Sequence, residues 1–308
     1  MLPIIGKPMI EHVVEHLSRH GITEVVLSLG FAPDVFQSAY PDGHCNGVPI
    51  RYAIEPKPLD TAGAIRFAAD SASITETFLV LNGDVLTDLD IKKLVSFHEE
   101  NKAEASIHLI PVEDPTQYGV VPTDQNGRVL GFIEKPAAGE SPTNWINAGT
   151  YVLEPSVLEQ IPSNQRVSVE KETFPALAAK SQLFAFQSET YWIDTGTPAT
   201  YLQAQMDLLD GGVRGNSHSG VDPTSLINGE VTESVVGADV VIEKGSRIEK
   251  SVILKGAKIE KGVTISNSII GFESHVGENA TIRSFSVVGH RVKIPKRAEL
   301  TGITMAES

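Results

Sequence analysis

The sequence holds one cysteine, Cys45, in 308 residues. That excludes an intramolecular disulfide framework and any Cys-rich zinc site, and it fits a reducing compartment. Cations are scarce too: 25 Lys and Arg face 39 Asp and Glu, for a formal net charge of −14. Gripping a phosphate backbone or an anionic bilayer needs a basic face, so neither nucleic acid nor membrane is expected as a partner. A small phosphorylated substrate stays open, because a few placed cations or a Mg2+ can hold phosphate inside an acidic protein. No apolar run approaches the roughly 20 residues of a membrane span. The N-terminus lacks the basic region and long apolar stretch of a signal peptide. A soluble cytoplasmic protein is the expectation.

What is present is ordinary globular composition, 41% hydrophobic and 21% charged, slightly rich in Gly (26) and Pro (18). The length favours two domains. The first two-thirds alternates helix and strand patterns. Ile10, Val13, Val14 and Leu17 share one helix face, and Gly21 is placed to end that helix. Strands are expected over 24–29, 49–55, 78–81 and 104–112, with helices near 62–71 and through Ile91, Leu94, Val95 and His98. Such alternation implies βαβ units and a Rossmann-like, mostly parallel α/β sheet. Tyr118–Pro122 and Val129–Ile133 flank the turn Asp124–Gly127 as a hairpin. Thr197 with Pro198 starts a last helix that Gly211-Gly212 ends.

Residues 213–230 are polar and rich in Gly, Ser and Asn, a linker between a domain over 1–212 and another over 231–308. Beyond it Val236, Ile242, Ile248 and Leu254 recur every six residues, Ile259 and Ile265 continue after a slip, and Ile270, Val276, Ile282, Val288 and Ile294 after another. A six-residue aliphatic period with interleaved Gly is the hexapeptide β-helix pattern. An irregular meander would show a period of two.

Four places carry candidate chemistry. Asp84 follows the apolar strand FLVLNGDV, where a carboxylate points into the ligand crevice of an α/β sheet; a turn aspartate is the alternative. Asp194 in YWIDTGTP ends another apolar segment, and a capping carboxylate is its alternative. Two such carboxylates could share one Mg2+, which takes few carboxylates and completes its shell with phosphate. Glu134-Lys135-Pro136 ends the hairpin: Lys135 can meet a phosphate as a point charge and Glu134 can accept from hydroxyls, or both are a solvated charge pair. Residues 55–64 (EPKPLDTAGA) put a strand end, a turn and small residues at a helix start, either so that a flat ligand approaches the backbone or as an ordinary βα loop. His275 and His290 lie in the repeat and receive no catalytic role.

Together the segments LPIIGKPMIEHVV, EPKPLDTAGAI, FLVLNGDV, YGVVPTDQNGRVLGFIEKP, NWINAGTYVL, SVEKETFPALA and YWIDTGTPATYLQA, in that order over most of residues 1–212, resemble the sugar-1-phosphate nucleotidyltransferase family. The hexapeptide tail matches members with a C-terminal left-handed β-helix. SVEKETFPAL and SIIGF are most similar to the bacterial mannose-1-phosphate guanylyltransferase branch. The resemblance implies that a sugar 1-phosphate attacks the α-phosphorus of an NTP, GTP with mannose 1-phosphate, and that pyrophosphate leaves. Asp84 and Asp194 would hold Mg2+. Glu134 and Lys135 would bind the sugar and its phosphate, with Lys135 at the reaction centre. Asn147 and Gly149 would line the sugar pocket, and Gly119 would pack against the sugar. The 55–64 loop would carry the base through Glu55, Pro58, Thr61, Ala62 and Gly63. No protein nucleophile is needed, since positioning and charge neutralisation carry such a reaction.

Two departures stand out. The loop usually reads P-L-G-T-A-G, and here Asp60 replaces the first Gly. The family also opens with a strand and a Gly-rich loop, G-G-x-G-T-R-L, followed by P-K-P; this chain starts at Met1-Leu2-Pro3, past that lysine. The Gly-rich loop cradles triphosphate through backbone N–H groups. Losing the first strand opens two unpaired apolar edges in mid-sheet. The expectation is therefore that Met1 is an internal methionine of a longer protein, and that the chain as it stands folds poorly and transfers no nucleotide. Other readings are a non-catalytic regulatory relative that binds a nucleotide sugar, a glucose-1-phosphate thymidylyl- or adenylyltransferase, and a sugar acyltransferase built on the solenoid. The repeat spans under 80 residues with no inserted loop for an acyl donor, against the last. Open solenoid ends need covering, so the solenoid is expected to pack on the catalytic domain or to form a homo-oligomer contact.

Overall fold

A computed structural model of the protein describes residues 2–211 and 220–306. The junction expected at 212–213 falls outside the described residues. By packing, the chain forms two units: one runs from Ile10 to Trp192, and the other joins Leu2–Met9 to the residues from Ile193 onward.

In the first unit, helix α1 (Met9–Arg19) buries Val14 beside Tyr40, Cys45, Val48 and Ile50, and Gly21 follows with φ +91. Strand β1 (Val25–Leu29) pairs in parallel with β2 (Val48–Ile54), Val25 opposite Ile50 and Leu29 opposite Ile54. Then come α2 (Asp60–Ala72), β3 (Phe78–Leu81) and α3 (Ile91–Asn101). The Asp90 carboxylate caps α3 by accepting from Lys93 N–H at 3.1 Å. Strand β4 (Ala105–Pro111) leads to a hairpin of β5 (Gly119–Val120) and β6 (Ile133–Glu134), then β7 (Trp145–Leu153), α4 (Phe174–Ala179) and β8 (Leu183–Gln187).

The larger sheet runs β6-β5-β7-β4-β8, with β3 also paired to β7. β4 and β8 are parallel, while β7 runs antiparallel to β3, β4 and β5. β7 and the second hairpin strand, β6, thus run opposite in sense to the other strands of this sheet. Every residue of β4 but Pro111 is buried, as a strand covered on both faces requires. Its core joins Ile107, Leu109, Tyr151, Leu153, Phe174 and Leu177. β1 and β3 each have one hydrogen-bonded neighbour strand among the described residues, and Phe78–Leu81 stay partly exposed.

In the second unit, Pro3–Ile4 and Lys7–Pro8 form a hairpin around Ile5 and Gly6, both at positive φ (43 and 73). It sits on helix α5 (Pro198–Leu209): Tyr201 Oη and Gln205 Nε2 donate to Pro3 O at 2.5 and 2.8 Å, and Ile5 N–H donates to Gln205 Oε1 at 2.8 Å. Thr197 and Thr200 close a capping box ahead of Pro198. The remainder is a parallel β-solenoid with three faces of five strands each. Val236, Ile253, Ile270, Val288 and Met305 stack on one face, so a coil takes 17 residues, except for the single step of 18 from Ile270 to Val288. This corrects the expected register at one point: Ile253, not Leu254, is the inward residue of its coil.

Candidate active site

The hairpin, the β7 bulge and the end of β3 lie side by side. Gly119 stands opposite Glu134, and a Cβ on it would come within 3.2 Å of the Glu134 carboxylate. Lys135 N–H donates to Tyr118 O at 3.0 Å, and its backbone is left-handed (φ +46), which turns the chain out of the strand. Glu134 and Lys135 are both exposed. One pair further along, Val120 faces Ile146 of β7.

The β7–β4 register then slips between Asn147 and Tyr151. Inside this bulge Asn147 Oδ1 accepts from Gly149 N–H at 3.1 Å, and Asn147 Nδ2 donates to Tyr151 Oη at 2.9 Å. Burial raises the Tyr151 phenol well above its ordinary pKa, so it serves as a neutral partner. Gly149 has φ +73, and a Cβ there would lie 2.6 Å from Asn82 Nδ2; Asn82 N–H donates to Gly149 O at 2.8 Å. The glycine is thus demanded twice, by backbone and by space. This contact ties Asn82-Gly83-Asp84 to the bulge, with Asp84 exposed just past β3. Trp192 Nε1 donates to Ala148 O at 2.8 Å, and its ring meets Tyr118 edge-on at 5.9 Å. Gly119, Glu134, Lys135, Asn147, Gly149 and Asp84 therefore share one run of adjoining strand ends. Asn82 and Trp192, which hold that run together, carry no signal that sequence reasoning used.

The 55–64 loop is built separately. Glu55 spends both oxygens on its frame: Oε1 accepts from Ser28 Oγ at 3.1 Å and Oε2 from Leu59 N–H at 3.0 Å. Residues 59–63 are laced to the segment 165–170. Val167 N–H donates to Leu59 O, Ala62 N–H donates to Val167 O at 2.9 Å, and Thr61 Oγ1 accepts from Val169 N–H at 2.8 Å while donating to Glu170 at 3.0 Å. A Cβ on Gly63 would stand 2.4 Å from Gln165 O, and Ala62 is fully buried. Those two small residues serve this close internal approach. The exposed groups of the loop are Pro56, Lys57, Pro58 and Thr61, with Asp60 half-buried. Asp60 has φ +62, which is why glycine suits the position, and its carboxylate meets Arg166 Nε at 3.3 Å.

Asp194 belongs to the second unit, where Oδ1 accepts from Gly196 N–H at 2.7 Å just ahead of α5. Asp84 belongs to the first. Among the described residues no group of three or more His, Cys, Asp or Glu is gathered for a metal. The donors that Asp84 and Asp194 offer are hard carboxylate oxygens. Each by itself is the kind of donor that Mg2+ accepts, a cation that takes few carboxylates and fills its shell with water and phosphate.

Residues 1–211 match the family described as Nucleotidyl transferase, and residues 210–306 match the GMPPB C-terminal domain. Mannose-1-phosphate guanylyltransferase from Mycobacterium tuberculosis is 38% identical over 267 residues, 82% of this chain and 73% of that one. Mannose-1-phosphate guanylyltransferase catalytic subunit beta from Dictyostelium discoideum is 36% identical, over 96% of this chain and 86% of the relative. Among solved structures, HddC from Yersinia pseudotuberculosis superposes with a TM-score of 0.59 at 30% identity, covering 67% of this chain and 87% of that one. The same protein complexed with GMP-PN gives 0.57 at 29%, with the same coverage. Nucleotidyltransferases generally work on an NTP and a sugar phosphate with a divalent metal. With its fold, its strand-end residues and these likenesses in agreement, the chain belongs to the nucleotidyl transferase family.

Proposed function

We propose that this chain makes GDP-mannose and pyrophosphate from GTP and mannose 1-phosphate. The observation that carries the reading is the run of Asp84, Asn147, Gly149, Gly119, Glu134 and Lys135 along adjoining strand ends, in a chain whose curated relatives bear the name mannose-1-phosphate guanylyltransferase. In this reading the bulge at Asn147–Tyr151 presents its polar groups to the sugar. Glu134 accepts from sugar hydroxyls, and Lys135 neutralises the attacking phosphate. An oxygen of that phosphate attacks the α-phosphorus in line, and pyrophosphate carries away the bonding pair. Asp84 and Asp194 would hold Mg2+, which supplies charge neutralisation on the phosphates. The protein's share is orientation and electrostatics, with no covalent intermediate.

The test is turnover by the full chain with GTP and mannose 1-phosphate in Mg2+, compared with ATP or dTTP and glucose 1-phosphate. The proposed activity predicts GDP-mannose and pyrophosphate in equal amounts, lost in Asp84→Asn and reduced roughly 100-fold or more in Lys135→Ala, and such turnover by the full chain overturns the expectation from sequence that a chain starting at Met1 transfers no nucleotide. Preference for another nucleotide and sugar pair sinks the substrate assignment. Tight GDP-mannose binding without turnover would instead mark a regulatory relative.

A further inference from the structure

Asp60 is costly to keep. A non-glycine residue at φ +62 bears a backbone strain that glycine would not. Its ion pair with Arg166 cannot offset this securely: the Arg166 side chain is 77% exposed, and surface pairs of that kind contribute little. Nor is the pair needed to shape the loop, because Leu59, Thr61 and Ala62 are already laced to Val167 and Val169. As the first residue of α2, Asp60 gains from the helix dipole and from accepting Thr61 N–H, which offsets part of that strain; its remaining acceptor capacity is what a ligand can use.

What it accepts in the structure is informative. One oxygen takes Thr61 N–H at 2.9 Å and the other faces the guanidinium of Arg166. Two ionised oxygens offer about four acceptor sites, so capacity remains. A guanidinium is a planar carbon bearing N–H donors side by side. The Watson–Crick edge of guanine, N1–H beside the 2-amino group, contains the same unit. Adenine puts an acceptor next to its amino group, and thymine flanks its one N–H with two carbonyls. Both would set lone pairs against the carboxylate.

We propose that Asp60 is a specificity-determining residue that reads the N1–H and 2-amino donors of guanine, with Arg166 as the exposed placeholder that the base displaces. This rests on the reading of the 55–64 loop as the base site under the proposed function.

The test uses equilibrium binding of GDP, IDP and ADP to the full chain, since hypoxanthine in IDP keeps N1–H but lacks the 2-amino group. The expected wild-type preference for GDP over IDP is about tenfold or more, the range of one bidentate contact. Asp60→Gly, which the positive φ favours and which therefore folds, is expected to bring the two within about twofold while IDP still binds. Asp60→Asn, which replaces one acceptor with a donor, is expected to lose the preference as well. An unchanged GDP-to-IDP ratio in both variants overturns the assignment and leaves the proposed function standing. A wild-type chain that binds none of the three nucleotides overturns both.

Discussion

His108 shows how one buried residue sets a pH response. It lies fully buried on β4, with Nε2 at 2.8 Å from Ser188 Oγ and Phe186 nearby. Its Nδ1 has no partner among the described residues. Burial without a compensating charge favours the neutral ring and lowers its pKa from 6.5 to about 4. In the unfolded chain the ring takes a proton as pH drops below 6.5; in the folded chain it does not until about 4. The unfolded state therefore binds more protons across that window. The stabilisation is fully present above pH 6.5 and is lost as pH falls towards 4, on the order of 3 kcal/mol at full extent. His108→Phe keeps the shape and removes the titration, and Ser188 Oγ retains Thr190 Oγ1 at 3.1 Å. The variant is expected to hold its urea midpoint between pH 6.5 and 4.5, where the parent chain declines. Parallel declines would show that this ring is not the group responsible.

At the scale of elements, the solenoid owes more to a line of buried serines than its hexapeptide pattern suggests. Ser234, Ser251 and Ser268 lie one above another at a corner. Each hydroxyl donates to a carbonyl of its own coil, and those of Ser234 and Ser251 accept from the N–H of the next serine up, at 3.0 and 3.1 Å. Ser251→Ala strands the buried N–H of Ser268, while the carbonyl of Glu249 keeps the Asn267 N–H at 3.1 Å, and is expected to cost about 1–3 kcal/mol. Lys250→Ala, next door, removes only an exposed pair with Glu233 and is expected to cost under about 1 kcal/mol. Chemical denaturation of the two variants checks this, and equal losses would mean that the serine hydrogen bonds hold the coils no better than an exposed ion pair does. The helix faces of α1 and α3, the hairpin and the aliphatic period were legible in the sequence because each is a local repetition. The Ile253 and Leu254 exchange was not, since neighbouring aliphatics are alike in hydropathy and only strand pairing chooses between them. The packing role of Gly63 has no local signature for a related reason. A small residue looks the same whether a ligand or Gln165 O comes close, and Gln165 lies about a hundred positions away. Arg166 meeting Asp60 across 106 positions has no local signature at all.

For the molecule as a whole, the two units have separate cores. One centres on Ile107, Leu153 and Phe174, the other on the stacked solenoid residues from Val236 to Ile294. The first draws its contacts from strands far apart in sequence, whereas each coil of the second pairs with the coil 17 or 18 residues on. Nearest-neighbour stacking of this kind makes stability a sum over coils. Units with different contact logic are expected to melt in different transitions, so a single unfolding free energy would not describe the chain. His108 and Ser251 report on one unit each. Calorimetry of the full chain is therefore expected to resolve two transitions at pH 7, with Ser251→Ala lowering only one. At pH 5, His108→Phe should move only the other, upward relative to the parent chain. The double variant should show both shifts, additive to within about 0.5 kcal/mol. One cooperative transition displaced by both substitutions would mean that the two cores stand or fall together, and the separation drawn from packing would then have no thermodynamic counterpart.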